Sequence, residues 1–409
     1  MTVAQVILVR RIIYFSMFLV LYSPQIRAES IHDAISSAWA RDPATASAKI
    51  DRQAAHETAK ALDAPFPSGP ILNGQYLDDH FIGSNLGYTT YQGSISMPLW
   101  LPGQKTARVG EAEAGVAVAD ARIQVQRLLV AIHVLDLTGA AAALSREIAN
   151  LREAGTLLGK TLAASRDALR AGELALADEE AIAAEKADIE GRIVERRQKL
   201  AVARAGLEML TGSRRIPDLL AIDGRVLAQR RLDPMRDPRI ALANALNRET
   251  RESFTLARHS YMPNPRVGLM VSRQGQYDSP WDTQVGVQFQ VALPSRARNA
   301  PLLMKSVRAV AASRRNAELA RRKVRVEYRR VRAQMASAIK ILRYSGGAHD
   351  ALEARASQLD AGWRAGEVSV IAYLRARRAE LQARQRMTQA NVIWRVSLIR
   401  MLLMSGQTL

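Results

Sequence analysis

The chain is internally duplicated, and this constrains its fold more than any other feature of the sequence. The segment Ala171–Leu176 recurs as Ala365–Val370, 194 residues further along. The same offset relates Leu210–Gly212 to Met404–Gly406. A long internal repeat indicates two like units that build one body. We therefore predict a first structural repeat at residues 29–212, a linker at 213–236 and a second repeat at 237–409.

The N-terminus has the pattern of an export signal. Arg10 and Arg11 precede an apolar run at residues 12–22, Pro24 ends the run, and Ala28 offers a small residue for cleavage. The run is shorter than the roughly 20 residues that a membrane-spanning helix needs. A cleaved signal peptide at 1–28 is therefore favoured over a membrane anchor. No later segment is expected to form a transmembrane helix.

Cysteine is absent, which excludes disulfides, thiolate metal sites and a cysteine nucleophile. The net charge of +19 is unevenly distributed. Residues 29–212 hold 19 basic and 24 acidic residues, whereas residues 213–409 hold 36 basic and 15 acidic residues. A basic excess is typical of proteins that bind nucleic acid or anionic membrane surfaces. Export argues against nucleic acid.

Each repeat contains a pair of candidate strands. They are residues 71–81 and 91–99 in the first repeat, and 267–272 and 284–293 in the second. The last is the clearest, because Val285, Val287 and Phe289 alternate with small or amide residues. An apolar face opposite an uncharged polar face, with Tyr88 and Trp281 near the strand ends, is typical of a membrane barrel wall. A soluble hairpin with one face on a core is the alternative.

The remaining pattern is helical and the same in both repeats. A medium helix (30–62, 238–259) precedes the strands, and a very long helix (103–170, 302–364) follows them. At about 1.5 Å per residue, the very long helices measure on the order of 100 Å. A second helix (174–210, 368–404) returns antiparallel, so that Gly172 and Gly366 lie at the tips of two helical hairpins.

A heptad pattern runs through the second very long helix. Val310, Ala317, Val324 and Val331 recur every seven residues and predict a packing seam. Arginines recur at the same interval on the opposite face; they are Arg308, Arg315, Arg322 and Arg329. A solvated face is the ordinary interpretation of this stripe. A stripe that faces a lumen and attracts anions is the alternative.

The sequence contains no pattern that indicates catalysis. The six histidines are scattered without metal-ligand spacing, and no glycine-rich phosphate loop follows a strand. We therefore expect a protein that is not an enzyme and has no cofactor and no metal site.

Taken together, the duplicated helix, strand pair and long hairpin resemble the TolC-type outer-membrane efflux channel family, the outer membrane factors. The resemblance covers nearly the whole mature chain. It is carried by the two tip segments, by the ends at Gly212 and Gly406, and by the proline-punctuated strands. The segments Ala38–Pro43 and Pro263–Pro265 are most similar to the heavy-metal and cation efflux branch.

The resemblance implies a fold that is mainly α with membrane β. Long helical hairpins would form a periplasmic tunnel, and four strands per protomer would contribute to a twelve-stranded barrel in a homotrimer. It also implies an outer-membrane location and a passive exit duct. The partners would be a periplasmic adaptor (membrane fusion) protein, an inner-membrane efflux pump of the RND or another type, and outer-membrane lipid, without nucleic acid.

The resemblance further assigns two sets of residues. The adaptor-contact tips are Gly172, Glu173, Leu174, Gly366, Glu367 and Val368. The periplasmic mouth, or gate, is formed by Asp178, Tyr373 and Arg375. The family's usual acidic ring is replaced in part, since the second repeat has Ala372 and Arg375 where acids are expected. Arg375 either inverts the charge of the mouth or pairs with Asp178 across it.

Two other functions remain open at this point. A periplasmic adaptor or scaffold would use helical hairpins without membrane strands, and the paired strands argue against it. A basic coiled-coil protein that binds nucleic acid or polyanions is disfavoured by the export signal.

Overall fold

The computed structural model describes residues 30–79, 87–219, 232–276 and 279–407. The predicted signal peptide at 1–28 and part of the 213–236 linker lie outside these ranges. The helices are α1 (Ile31–Arg41), α2 (Pro43–Leu62), α3 (Gln104–Arg170), α4 (Leu176–Thr211), α5 (Pro238–His259), α6 (Arg296–Arg364) and α7 (Val370–Met404). The strands are β1 (Ile71–Asp78), β2 (Thr89–Pro98), β3 (Arg266–Gly275) and β4 (Asp282–Gln290). A short 3₁₀ helix, Pro234–Arg236, precedes α5.

The single helix predicted at residues 30–62 is wrong, because the structure divides it into α1 and α2 at Asp42. Pro43 is the first residue of α2, and a proline disfavours the helical conformation of the residue before it. Asp42 is accordingly extended, and its carboxylate accepts a hydrogen bond from the Thr45 backbone N–H at 2.8 Å. The Asp-Pro pair therefore ends one helix and caps the next.

The four strands form one antiparallel sheet in the order β1-β2-β3-β4. Each strand begins within two residues of its predicted start, and residues 80–81 of the first prediction lie outside the described ranges. Ten residue pairs join β2 to β3, from Thr89 opposite Gly275 to Pro98 opposite Arg266. The sheet thus links the two repeats into one body.

The junction between sheet and helices is also shared by both repeats. The Asn264 side chain, beyond α5, donates hydrogen bonds to the Leu99 carbonyl at 2.8 Å and to Gln104 Oε1 at 2.7 Å. The Leu99 backbone N–H donates to the Pro265 carbonyl at 2.7 Å. These bonds fix the start of α3 against the second repeat.

The very long helices are continuous, including at their internal glycines. α6 begins at Arg296, six residues before its predicted start at Leu302, and therefore includes Pro301. Proline lacks a backbone N–H, and near the N-terminus of the helix the loss of this one hydrogen-bond donor has a small effect on stability. α4 and α7 then run back beside α3 and α6, as the tip pattern predicts.

Two core clusters join the hairpins. One lies midway along the helices around Val134, Leu135 and Leu207, with Ile31 of α1 packed into it. The other lies towards the tips around Leu158, Ile182 and Tyr373. Since both clusters contain residues of both repeats, the two hairpins form one packed bundle.

In the described ranges, one helix, α3, is long and apolar enough to cross a membrane by length and composition alone. No such segment is expected from the sequence. α3 packs against α1, α2, α4, α5 and α7, and 21 of its residues are buried. We attribute its apolar composition to this central position in the bundle, because a core helix is apolar on several faces.

Candidate channel surfaces

One face of the sheet is a continuous apolar band. Neighbouring strands place like residues side by side: Leu72 opposite Ile95, Ile95 opposite Leu269, and Leu269 opposite Val287. The exposed members of this band are Leu72, Tyr76, Tyr91, Ile95, Leu269, Val271, Val285, Val287 and Phe289. Soluble proteins rarely leave an apolar surface of this extent in water.

The opposite face of the sheet carries small and amide side chains. Its residues include Asn73, Gln75, Gln92, Ser94, Ser96, Ser272, Gln284 and Gln288. The three central rows of this face, which cross the sheet from Ile71, Asn73 and Gln75 on β1, contain no charged residue, and the charges of this face, Asp282 and Arg266, lie in the outermost rows. The division into a lipid-like and a water-like face is the one expected of a barrel wall, as the alternation predicted.

The two hairpin tips have the same backbone geometry. Gly172 has φ +77° and Gly366 has φ +76°, in the left-handed region. In the first tip the Glu173 N–H donates to the Ala168 carbonyl at 2.9 Å; in the second the Glu367 N–H donates to the Gly362 carbonyl at 2.9 Å. These are the hydrogen bonds of a Schellman motif, which ends a helix at a glycine.

The predicted tip residues lie together at the ends of the hairpins. Gly172, Glu173, Gly366 and Glu367 are exposed, whereas Leu174 and Val368 are half-buried. Val368 packs over Gly362, where any added Cβ would lie 2.8 Å from the valine methyl. Each tip therefore presents an exposed Gly-Glu pair beside a partly buried apolar residue.

The three predicted mouth residues differ in their surroundings. Asp178 is half-buried near the start of α4, and Arg375 is exposed on α7. Tyr373 is fully buried, with its ring stacked on Trp363 at 5.9 Å and its hydroxyl 3.4 Å from Thr161 Oγ1. Within the protomer, Tyr373 therefore holds the hairpins together near the other predicted mouth residues and does not face open space.

An ion pair that could not be predicted from the sequence joins the two hairpins close to the predicted mouth residues. Arg378 on α7 donates to Glu185 on α4, with Nε at 2.7 Å from the carboxylate. The hydrogen bond to Glu185 raises the pKa of the Arg378 guanidinium. Glu185 is buried and Arg378 is largely exposed. No local sequence pattern indicates this ion pair, because the two residues are 193 positions apart.

Two helices form the free edges of the bundle. α6 packs on α5 and α7 and has only five buried residues. α4 has its buried face on α3 and a second stripe at heptad-like spacing that is exposed. The stripe consists of Ala184, Ala187, Gly191, Val194, Gln198, Val202, Ala205 and Met209. An apolar stripe on the free face of a long helix is typical of a surface that receives another helix.

Three side chains of types that can ligate a metal lie close together on α6, at a place that the histidine spacing does not indicate. His349, Asp350 and Glu353 place one ligand atom each within 4.8 Å of one another. His349 Nε2 lies 3.7 Å from a Glu353 carboxylate oxygen. Two of the three side chains are exposed, and they come from little more than one helical turn.

Comparison with known proteins gives structural matches alone. No protein-family model and no curated protein sequence matches this chain. The chain is similar to the solved structure of CusC, with a TM-score of 0.73 and 17% identity over 92% of each chain. It is similar to the outer membrane protein VceC from Vibrio cholerae, with a TM-score of 0.75 and 14% identity over 93% of this chain and 97% of that one.

A third match is the outer-membrane channel OprN, with a TM-score of 0.71 and 15% identity over 92% of this chain and 89% of that one. The matches span both repeats, the sheet and the hairpins. They confirm the resemblance at the level of the fold, while assignment to the heavy-metal branch stays a prediction. The chain therefore has the fold of the outer-membrane efflux channels.

Proposed function

We propose that this protein is the outer-membrane channel of a tripartite efflux system and acts as a passive exit duct. The observation that carries the proposal is the continuous apolar face of the four-stranded sheet, mounted on helices of about 100 Å. The apolar face fits outer-membrane lipid, and the helices are long enough to extend into the periplasm. A periplasmic adaptor or scaffold without membrane strands would leave that face in water.

The sheet supports a homotrimer. Four strands cannot close a barrel, and bacterial barrels have at least eight. Unpaired backbone groups at an edge strand are not tolerated in lipid. Edge strands β1 and β4 must therefore pair with other copies, and three copies give a wall of twelve strands.

The helices support the same assembly. The free faces of α6 and α4 lie on different surfaces of the protomer, so contact between them in successive copies is head-to-tail. Head-to-tail contacts close into a ring when the rotation allows it. In a ring of three copies, the hairpins would surround a periplasmic tunnel that continues the barrel.

The hairpin tips are the proposed contact for a periplasmic adaptor, which would connect the channel to an inner-membrane pump. Gly172, Glu173, Gly366 and Glu367 are exposed at the end furthest from the sheet. A photo-crosslinker in place of Glu367 should capture a periplasmic partner, whereas one in place of Glu195, midway along α4, should not. Equal capture from both positions would refute the tip assignment.

Adjacent positions on β4 test the membrane assignment. Val287 lies on the apolar face and Gln288 on the polar face. An arginine on the lipid face of a barrel costs about 2–4 kcal/mol at the membrane midplane. Val287→Arg should therefore reduce the amount of protein in outer-membrane fractions, and the matched control Gln288→Arg should not. Equal amounts of both variants would contradict a lipid-facing sheet.

A further inference from the structure

The basic excess of the second repeat is concentrated at one place in the fold. The first 37 residues of α6, residues 296–332, hold thirteen lysines and arginines and two glutamates. This part of the helix follows β4 directly and so adjoins the sheet. In the proposed assembly it belongs to the part of the tunnel next to the membrane.

The buried seam of α6 fixes how these cations are arranged around the helix. Ala317, Val324 and Val331 are buried, as the heptad predicts, and Ala338 continues the seam. The opposite stripe is exposed throughout; it consists of Arg308, Arg315, Arg322 and Arg329. The seam rests on α5 and α7, so the arginine stripe points to the free edge of the protomer.

The two flanks of the helix are basic as well. Lys323 and Arg330 come directly before the seam residues Val324 and Val331. Arg325 and Arg332 come directly after the same two seam residues. Successive residues of an α-helix are about 100° apart, so these two pairs lie on opposite flanks. All four side chains are exposed. In a tube one helix thick, one flank faces the lumen and the other faces outward. Whichever flank of α6 is the inner one, it carries cations.

Few acidic groups neutralise this charge. Glu318 pairs with Arg321 and Arg322, and Glu327 pairs with Arg239 of α5. In the described parts of the chain, the four flank cations form no ion pair. The adjacent helices do not compensate, since α5 holds four basic and two acidic residues, and α7 holds seven basic and one acidic residue.

We infer that the tunnel selects anions, so that the exported solutes are negatively charged molecules such as carboxylates, sulfonates or phosphates. The inference rests on the proposed function. Rings of lysine and arginine favour anions in pores, as rings of carboxylates favour cations. Three copies would place at least six flank cations around the lumen, where a charged, enclosed surface raises the local concentration of counter-ions.

The reversal potential of the reconstituted protein tests this inference. The full chain, extracted from outer-membrane fractions, is placed in planar bilayers of neutral lipid under a gradient of KCl. Low ionic strength is needed, because the Debye length is about 10 Å at 0.1 M salt. The reversal potential should have the sign of the chloride equilibrium potential.

Two charge-reversal variants locate the lumen. Arg325→Glu with Arg332→Glu changes one flank, and Lys323→Glu with Arg330→Glu changes the other. One variant should move the reversal potential towards that of potassium, and the other, with the same change in net charge, should move it less. The charge-preserving variant Arg325→Lys with Arg332→Lys should behave as the wild type.

Two results would overturn the inference and leave the channel function intact. One is a wild-type channel that prefers potassium, and the other is a reversal potential that neither charge-reversal variant moves. The absence of any conductance from correctly inserted protein would instead overturn the proposed function, and with it this inference.

Discussion

At the residue scale, glycine has opposite roles at the tips and inside the helices. Gly172 and Gly366 have positive φ, which other L-residues adopt at a cost, although an added Cβ would contact nothing within 4 Å. Gly191, within α4, also has nothing within 4 Å of an added Cβ, but its backbone is helical. Backbone conformation alone therefore separates the two cases.

We expect Gly366→Ala to lower the stability of the protein by about 1 kcal/mol, the cost of left-handed backbone. Gly191→Ala should raise it by about 0.5–1 kcal/mol, because alanine loses less conformational freedom in a helix. Denaturant unfolding of the detergent-solubilised protein measures both changes. If both substitutions change the free energy of unfolding in the same direction, the tip glycine is not held in the left-handed conformation.

Asp42 is the second residue with a specific local role. Burial raises the pKa of its carboxyl group, but hydrogen bonds from Thr45 and Gln126 outweigh burial and hold the pKa below its usual value of 3.8. A carboxylate with a lowered pKa stabilises the folded state fully above the unfolded pKa. This stabilisation is lost as the pH falls through the folded pKa.

Asp42→Ala should accordingly cost about 1 kcal/mol at neutral pH, as expected for the loss of an N-cap. The difference in stability between the wild type and this variant should be constant above about pH 5 and should shrink as the pH falls below 3.8. Unfolding experiments at several pH values measure it. A difference that does not depend on pH would contradict a charged cap.

At the element scale, Tyr373 connects α3, α6 and α7 at the level of the proposed mouth. Its ring is stacked on Trp363 of α6, and its hydroxyl is 3.4 Å from Thr161 of α3. Tyr373→Ala should destabilise the protein by about 3–5 kcal/mol, as for other large aromatic residues in cores. Tyr373→Phe should cost about 1 kcal/mol, since it loses one weak hydrogen bond.

Chemical unfolding followed by tryptophan fluorescence measures these changes. Equal, small effects of both variants would show that the residue is not part of the packed core. If Tyr373→Phe instead leaves stability intact and increases conductance, the residue acts on the gate through its hydroxyl.

The sequence predicted most elements because their signals are local. Period-two alternation identifies the strands, the glycine repeats identify the tips, and the heptad of α6 identifies its buried seam. The division at Asp42–Pro43 was also local but was overlooked. The predicted start of the second very long helix at Leu302 excludes Pro301, although a proline near the start of a helix is tolerated.

What the sequence could not predict depends on contacts between distant residues. The Glu185–Arg378 pair and the burial of Tyr373 require the two hairpins to be placed against each other. The resemblance to the family assigned Tyr373 to the mouth, and the structure adds that its ring is in the core. The proposed mouth, tips and repeat boundaries stay predictions.

At the scale of the whole molecule, the free edges of the protomer explain why it exposes so many apolar side chains. β1 and β4 end the sheet, and α4 and α6 end the row of helices. In the proposed assembly, another copy completes each edge. The oligomer is therefore the central claim, since barrel, tunnel and anion selection all depend on it.

Cysteine cross-linking between the sheet edges tests this claim most directly, because the natural chain has no cysteine. One cysteine replaces Asn73 on β1, and a second replaces Gln284, Gln288 or Gln290 on β4 in turn. Within one protomer the two edge strands are separated by β2 and β3, a distance of about 14 Å at 4.7–4.9 Å per strand. A disulfide needs Cβ atoms about 4 Å apart, so any cross-link must join different copies.

In oxidised outer-membrane fractions, at least one pair should give dimers and trimers on a denaturing gel, with no larger species, and reduction should return them to monomer. Failure of every pair to cross-link, or a ladder that continues beyond three copies, would contradict a closed trimeric barrel.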